Sequence, residues 1–159
     1  MDDLSAQFRE YVRLDRKRTD AGLTIPEMER WRGLKRLLTK RFSPTVSAKQ
    51  IDQRNSVRIP TRLRVRFDTN GELSDCLMTN LSRYGVFIQT QKPFELKTRF
   101  ELRIYVTDPE WELAARVEVV SVGVGPNLRH EAQGMGCRFI DLHPNLEKQI
   151  ADLYERALK

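Results

Sequence analysis

The chain has 159 residues, 40% of them apolar and 31% charged, with a net charge of +6. That composition suits one folded, soluble domain with a short accessory segment and excludes a wholly disordered chain. No run approaches the roughly 18 consecutive apolar residues that a bilayer span needs. The acidic start Met1-Asp2-Asp3-Leu4 also lacks the basic-then-apolar order of a secretory signal, so the cytoplasm is the expected location.

The charge is unevenly spread. Residues 1–50 hold 12 Lys/Arg against 7 Asp/Glu, and residues 51–159 hold 16 against 15. Within that nearly neutral second part, Arg54, Arg58, Arg62, Arg64 and Arg66 crowd together. A local cationic patch suits a nucleotide, a nucleic acid or membrane headgroups, or is simply a solvated face.

Residues 1–42 read as a helical hairpin. Leu4, Phe8, Tyr11 and Val12 recur at helical spacing, with Leu14 just off the stripe, and Gly22 can take the left-handed conformation that ends a helix. Thr24-Ile25-Pro26-Glu27 is a capping-box pattern. It opens a second helix with Met28, Trp31, Leu34, Leu37, Leu38 and Phe42 on one side. Residues 43–52, with Pro44 and small polar residues, read as a linker.

From Val57 the period falls from 3.6 to 2. Leu63, Val65 and Phe67 alternate with Arg62, Arg64 and Arg66, a strand with one apolar and one basic face. Asn70-Gly71 is a tight-turn signal. Strands follow over Glu72–Asn80, Gly85–Thr90, Phe100–Val106, Trp111–Val122 and Gly134–Ile140, with turns at Lys92-Pro93, Asp108-Pro109 and Gly123–Pro126. His143-Pro144 opens a terminal helix with Leu146, Ile150, Leu153, Tyr154 and Leu158 on one face. The fold class is therefore mainly β: about six short strands in a closed or nearly closed antiparallel barrel, with the terminal helix over an open end.

Enzyme signatures are scarce. Of two histidines, His130 lies in a polar loop and His143 precedes a proline, and neither has metal-ligand spacing. Cys76 and Cys137 form no CxxC pair; buried free thiols are expected of them rather than a disulfide. Ser82 sits in no GxSxG elbow, and no GxxxxGK[ST] loop is present. Catalysis is disfavoured, and no metal or cofactor is expected.

Two short segments remain. Arg54-Asn55-Ser56-Val57-Arg58 precedes the first strand, and Asn80-Leu81-Ser82-Arg83-Tyr84-Gly85 joins two strands, with 21 residues between Arg58 and Asn80. In that order they resemble the RxxxR … [D/N]xSxxG pattern of the PilZ family. Gly134–Asp141 resembles the family's closing strand, followed by its C-terminal helix. The resemblance covers about residues 52–158. It implies a six-stranded PilZ-like barrel over residues 53–159, C-terminal helix included, preceded by the hairpin and linker.

It also implies a receptor for the second messenger cyclic di-GMP. By carry-over, Arg54 and Arg58 grip guanine edges and phosphates, which suit the guanidinium fork. Asn80 and Ser82 hydrogen-bond a guanine and a phosphate, and Gly85 allows close backbone approach. Gln53 stands where many relatives carry a further arginine that supports binding of an intercalated ligand dimer, which leaves the stoichiometry open. Arg83 and Arg138 are candidate extra phosphate contacts.

The output expected of such a receptor is a signal to a partner protein. Ligand would order the 43–58 segment and change the seat of the hairpin, exposing its seam to an effector or setting a self-association interface. Permanent packing of the hairpin on the barrel is the alternative. Other readings are a PilZ-like interaction module that has lost its ligand, a nucleic-acid binder using the basic strand face, and a membrane-surface anchor using the second helix.

Overall fold

The computed structural model describes residues 3–69, 72–107, 110–124 and 133–157. Helix α1 spans Leu4–Asp20, and the Asp3 side chain caps it by accepting from the Ala6 N–H at 3.1 Å. Phe8, Tyr11, Val12 and Leu14 are all buried, so Leu14 belongs to the apolar stripe rather than lying beside it. The helix stops at Gly22, whose φ of +87° costs glycine nothing.

Helix α2 spans Ile25–Phe42. Its capping box is complete: the Glu27 N–H donates to Thr24 Oγ1 at 3.3 Å, and the Thr24 N–H donates to Glu27 Oε1 at 3.0 Å. Trp31, Leu34 and Leu38 face inward. Leu37, expected on the same side, is 44% exposed, because it lies about 100° round the helix from Leu38. Lys35 and Thr39 are buried in its stead, one and two turns on from Trp31.

The segment expected as a linker holds a helix, α3, over Ala48–Gln53. Ser47 and Gln50 form a second capping box there. The first strand was expected from Val57 and starts at Ile59. Val57 is kept out of the ladder because tyrosine hydroxyls take both its N–H and its carbonyl.

Strands β1 (Ile59–Thr69), β2 (Glu72–Leu81), β3 (Gly85–Gln89), β4 (Arg99–Thr107), β5 (Glu110–Val124) and β6 (Gln133–Ile140) form a closed antiparallel barrel in the order β1-β2-β3-β6-β5-β4. Val65, Ile88, Leu102, Ile104, Leu113, Val117 and Met135 fill it. Burial of each such side chain stabilises the fold by about 1.5–3 kcal/mol. Helix α4 (Pro144–Ala157) buries Leu146, Ile150, Leu153 and Tyr154. The Tyr154 ring meets Phe8 edge-on at 5.0 Å between centroids. Hairpin, α4 and barrel thus share one core.

Cys76 and Cys137 are free thiols; Cys137 is buried as expected, whereas Cys76 on β2 is only half-buried. The Asn70-Gly71 and Asp108-Pro109 turns, Gly125-Pro126, His130 and Leu158 lie outside the described residues. No described helix is long and apolar enough to cross a membrane.

Candidate functional site

Between α3 and β1 the chain runs as an irregular arm, Arg54–Arg58. Irregular backbone needs partners of its own, and here side chains from three helices supply them. The Arg54 carbonyl accepts from Lys35 Nζ of α2 at 2.9 Å. The Val57 N–H donates to the Tyr11 hydroxyl of α1 at 3.1 Å, and the Tyr154 hydroxyl of α4 donates to the Val57 carbonyl at 2.6 Å. Between them, Ser56 Oγ accepts from the Arg83 N–H at 3.3 Å. That last bond ties the arm to the turn between β2 and β3.

The turn is built around Ser82. Its Oγ accepts from the N–H groups of Tyr84 and Gly85, both at 3.2 Å, while the Ser82 N–H donates to the Gly85 carbonyl at 2.9 Å. Among the described residues the hydroxyl proton has only the Gly85 carbonyl, at a long 3.4 Å, and is available to an incoming acceptor.

Arm and turn border two adjoining clefts. One, of about 370 Å³, is lined by Arg58, Asn80, Ser82, Tyr84, Gly85 and Arg138 together with parts of β3, β5 and β6. The other, of about 490 Å³, is lined by Gln50, Gln53, Arg54, Asn55, Ser56, Arg58, Ser82 and Tyr84. Arg58, Ser82 and Tyr84 border both. Seven of the eight residues singled out in the sequence therefore converge: Gln53, Arg54, Arg58, Asn80, Ser82, Gly85 and Arg138.

Their electrostatics differ. Among the described residues, the Arg54 and Arg58 side chains meet no carboxylate and make no hydrogen bond. Arg54 Nη1 is buried and has no hydrogen-bond partner among those residues. Burial, and then the nearby charge of Arg58, pull the Arg54 guanidinium below the usual arginine value; burial does the same to Arg58. Arg138 borders the cleft, but its Nη2 lies 2.8 Å from Glu118 Oε1. Glu118 also accepts from Arg99 Nε at 2.9 Å. These bonds, Arg99's first, hold the Glu118 carboxyl below the usual carboxylate range.

The eighth residue, Arg83, turns away from both clefts. Its Nη1 lies 2.8 Å from Asp15 Oδ2, with the Arg83 side chain 14% exposed and Asp15 fully buried. Asp15 also accepts from Trp31 Nε1 at 3.0 Å and from Arg18 Nη2 at 3.1 Å. Arg83 thus fastens the turn to α1, with its guanidinium paired to Asp15 and outside the linings of both clefts. Gly85 borders the cleft, yet its first constraint is packing. A Cβ there would run into the Cys137 carbonyl oxygen of β6.

Tyr84 escaped the sequence reading although it sits inside the Asn80–Gly85 segment. It is 38% exposed, lines both clefts, and its hydroxyl accepts from Arg18 Nη2 at 3.4 Å. Its position beside Ser82 in a strand-joining turn was the available signal. No group of three or more His, Cys, Asp or Glu side chains suited to a metal ion occurs among the described residues.

These features define a small closed β-barrel with a cationic corner where an arm and a turn meet. The chain belongs to the PilZ domain family, whose model matches residues 52–156. A comparison with curated proteins finds none that matches. Solved structures share the fold. The PilZ domain of YcgR from Escherichia coli, solved with c-di-GMP, gives a TM-score of 0.55 at 14% identity, over 66% of this chain and 91% of that one. The inhibitor of motility MotI/DgrA from Bacillus subtilis gives 0.54 at 17% identity, over 65% of this chain and 50% of that one. The chain therefore aligns with about half the length of the Bacillus protein.

Proposed function

We propose that the chain is a cyclic di-GMP receptor, not an enzyme, with its ligand site at the junction of the Arg54–Arg58 arm and the Ser82 turn. The observation that carries this reading is the state of the two arginines. Two cations, the half-buried Arg54 and the exposed Arg58, border a cleft, with no ion-pair partner among the described residues and one buried Arg54 N–H unpaired. An unsatisfied buried donor costs roughly 1–3 kcal/mol, which an acceptor on a ligand recovers.

Cyclic di-GMP offers matching groups. Two phosphodiester anions neutralise the guanidiniums, and guanine O6 and N7 accept a bidentate fork. The Ser82 hydroxyl proton reaches a phosphate oxygen, and the Asn80 amide supplies a donor and an acceptor for a guanine edge. The half-exposed Tyr84 ring offers a face for stacking. The proposed ligand is the dinucleotide with which the YcgR PilZ domain was solved.

Occupancy passes to an effector protein, or to a second copy of the chain, through the hairpin, which the Ser56–Arg83–Asp15 contacts tie to the site. Ile25, 79% exposed, and Leu37 offer apolar contact on its outer side. Calorimetric titration of the purified chain with cyclic di-GMP tests the receptor reading. Saturable binding with a Kd of about 10 µM or tighter supports it, and no heat at about 300 µM ligand rules it out.

A further inference from the structure

We propose that Lys35 and Tyr11 of the helical hairpin are positioning residues for the Arg54–Arg58 arm, so that residues 1–42 are a working part of the ligand site. The proposal rests on the receptor reading above and adds to it a role for residues outside the 52–156 match to the family.

The arm has no ladder partner of its own: α3 ends at Gln53 and β1 begins at Ile59. Beyond the Arg54 N–H, which caps α3 on the Gln50 and Ile51 carbonyls, four points fix its course: the Arg54 carbonyl, Ser56 Oγ, and the Val57 N–H and carbonyl. Two of the four come from the hairpin. Lys35 Nζ holds the carbonyl of Arg54 itself, and the Tyr11 hydroxyl holds Val57, the residue before Arg58.

The Lys35 contact is an unusual arrangement. Lysine is almost never fully buried unless paired, yet Lys35 is only 4% exposed. Its ammonium lies 4.8 Å from the Trp31 ring centroid. Burial pulls the lysine below its ordinary value. A packing role would be met more cheaply by Leu or Met; the ammonium is needed to grip the carbonyl that sets the Arg54 backbone. Tyr11 is fully buried as well, and its ring stacks on Trp31 at 6.4 Å. Both anchors therefore move with the hairpin as one unit.

Preorganisation follows. A long flexible arginine loses less freedom on binding when its backbone is already fixed. By reciprocity, whatever draws the hairpin off the arm weakens ligand binding, and ligand strengthens hairpin docking by the same factor.

The test uses the full-length chain and cyclic di-GMP itself. Affinity is measured calorimetrically for Lys35→Met, Lys35→Arg and Tyr11→Phe, alone and with Arg54→Ala, and melting is followed in parallel. Lys35→Met and Tyr11→Phe are expected to weaken binding about three- to thirtyfold. Lys35→Arg, which keeps a cationic donor, restores affinity to within about threefold. With Arg54→Ala already present, Lys35→Met adds less than about twofold, because its effect runs through Arg54.

A lower melting temperature with parental affinity in both Lys35→Met and Tyr11→Phe, while Arg54→Ala binds weakly, overturns this inference alone. Failure of the parent chain to bind overturns the receptor reading instead. Amide exchange on the ligand-free chain decides the positioning claim should Lys35→Met not fold. Val57 N–H is expected to be protected in the parent and to exchange fast in Tyr11→Phe; equal protection in both contradicts the claim.

Discussion

Two arginine-rich stretches follow one another in this chain and end in opposite electrostatic states. In the arm, Arg54 and Arg58 border a cleft, and neither forms an ion pair with a described carboxylate. On β1, Arg64 and Arg66 both reach Asp75 of β2, at 3.7 and 2.9 Å, and Arg66 also lies 5.7 Å from the Tyr105 ring. The cause is backbone geometry. A strand places a neighbour opposite each residue, and the register sets Asp75 against Arg66. The arm belongs to no ladder, so no cross-strand residue is supplied to neutralise it. Equal charge density in the sequence thus becomes a self-satisfied surface in one place and an anion-seeking corner in the other.

Perturbing each kind of arginine sharpens that contrast. The largest effect is expected at the pair built on the buried Asp15. Asp15→Ala strands Arg83 and Arg18 and frees Trp31 Nε1, and breaking such a pair costs about 3–5 kcal/mol. Urea unfolding measures this, and a loss below about 1 kcal/mol would mean that the pair does not fasten α1 to the turn. Next come the arm residues. Arg54→Ala or Arg58→Ala removes charge-assisted bonds of about 1.5–3 kcal/mol, a ten- to hundredfold loss of cyclic di-GMP affinity by calorimetry.

On the strand face the same change should matter little. Arg64→Ala or Arg66→Ala is expected to alter that affinity by less than about threefold, since both already pair with Asp75 on the surface and surface-paired arginines contribute little. Equal losses on arm and strand would erase the distinction between the two regions.

The smallest expected effect is a pH dependence at the hairpin's capping box. The Lys17 and Thr24 bonds hold the Glu27 carboxyl at about 2 instead of 4.5. A depressed carboxyl pKa favours the fold above the unfolded value and loses that contribution as pH falls from about 4.5 toward 2. Melting temperatures across this window should fall less steeply in Glu27→Gln than in the parent.

Much of this was legible in the chain. The change of period at β1 announced a strand with Val65 and Phe67 inward, and Thr24-x-x-Glu27 marked the start of α2 to the residue. Five of the eight candidate site residues meet because two short segments carry the motif and the barrel brings their strand ends together; Gln53 at the end of α3 and Arg138 on β6 complete the seven that line the clefts. What stayed hidden depends on contacts distant in sequence. Arg83 reads as a ligand contact until Asp15, 68 residues away, is seen beside it. Gly85 lines the cleft, but that the Cys137 carbonyl of β6 also bars a Cβ there is not readable from the sequence. Helix α3 was masked differently. Its Ser47-x-x-Gln50 cap is local, but a helix of 6 residues carries too little periodicity to stand out from a Pro44-containing polar stretch.

The claim that arm and turn converge on one ligand is tested most directly by backbone amide NMR during titration with cyclic di-GMP. Saturating shifts are expected together at Arg54, Asn55, Arg58, Ser82, Tyr84 and Gly85, with Arg62, Arg64 and Arg66 nearly still. Shifts confined to the β1 arginines, or to one of the two segments with the other unmoved, would contradict it.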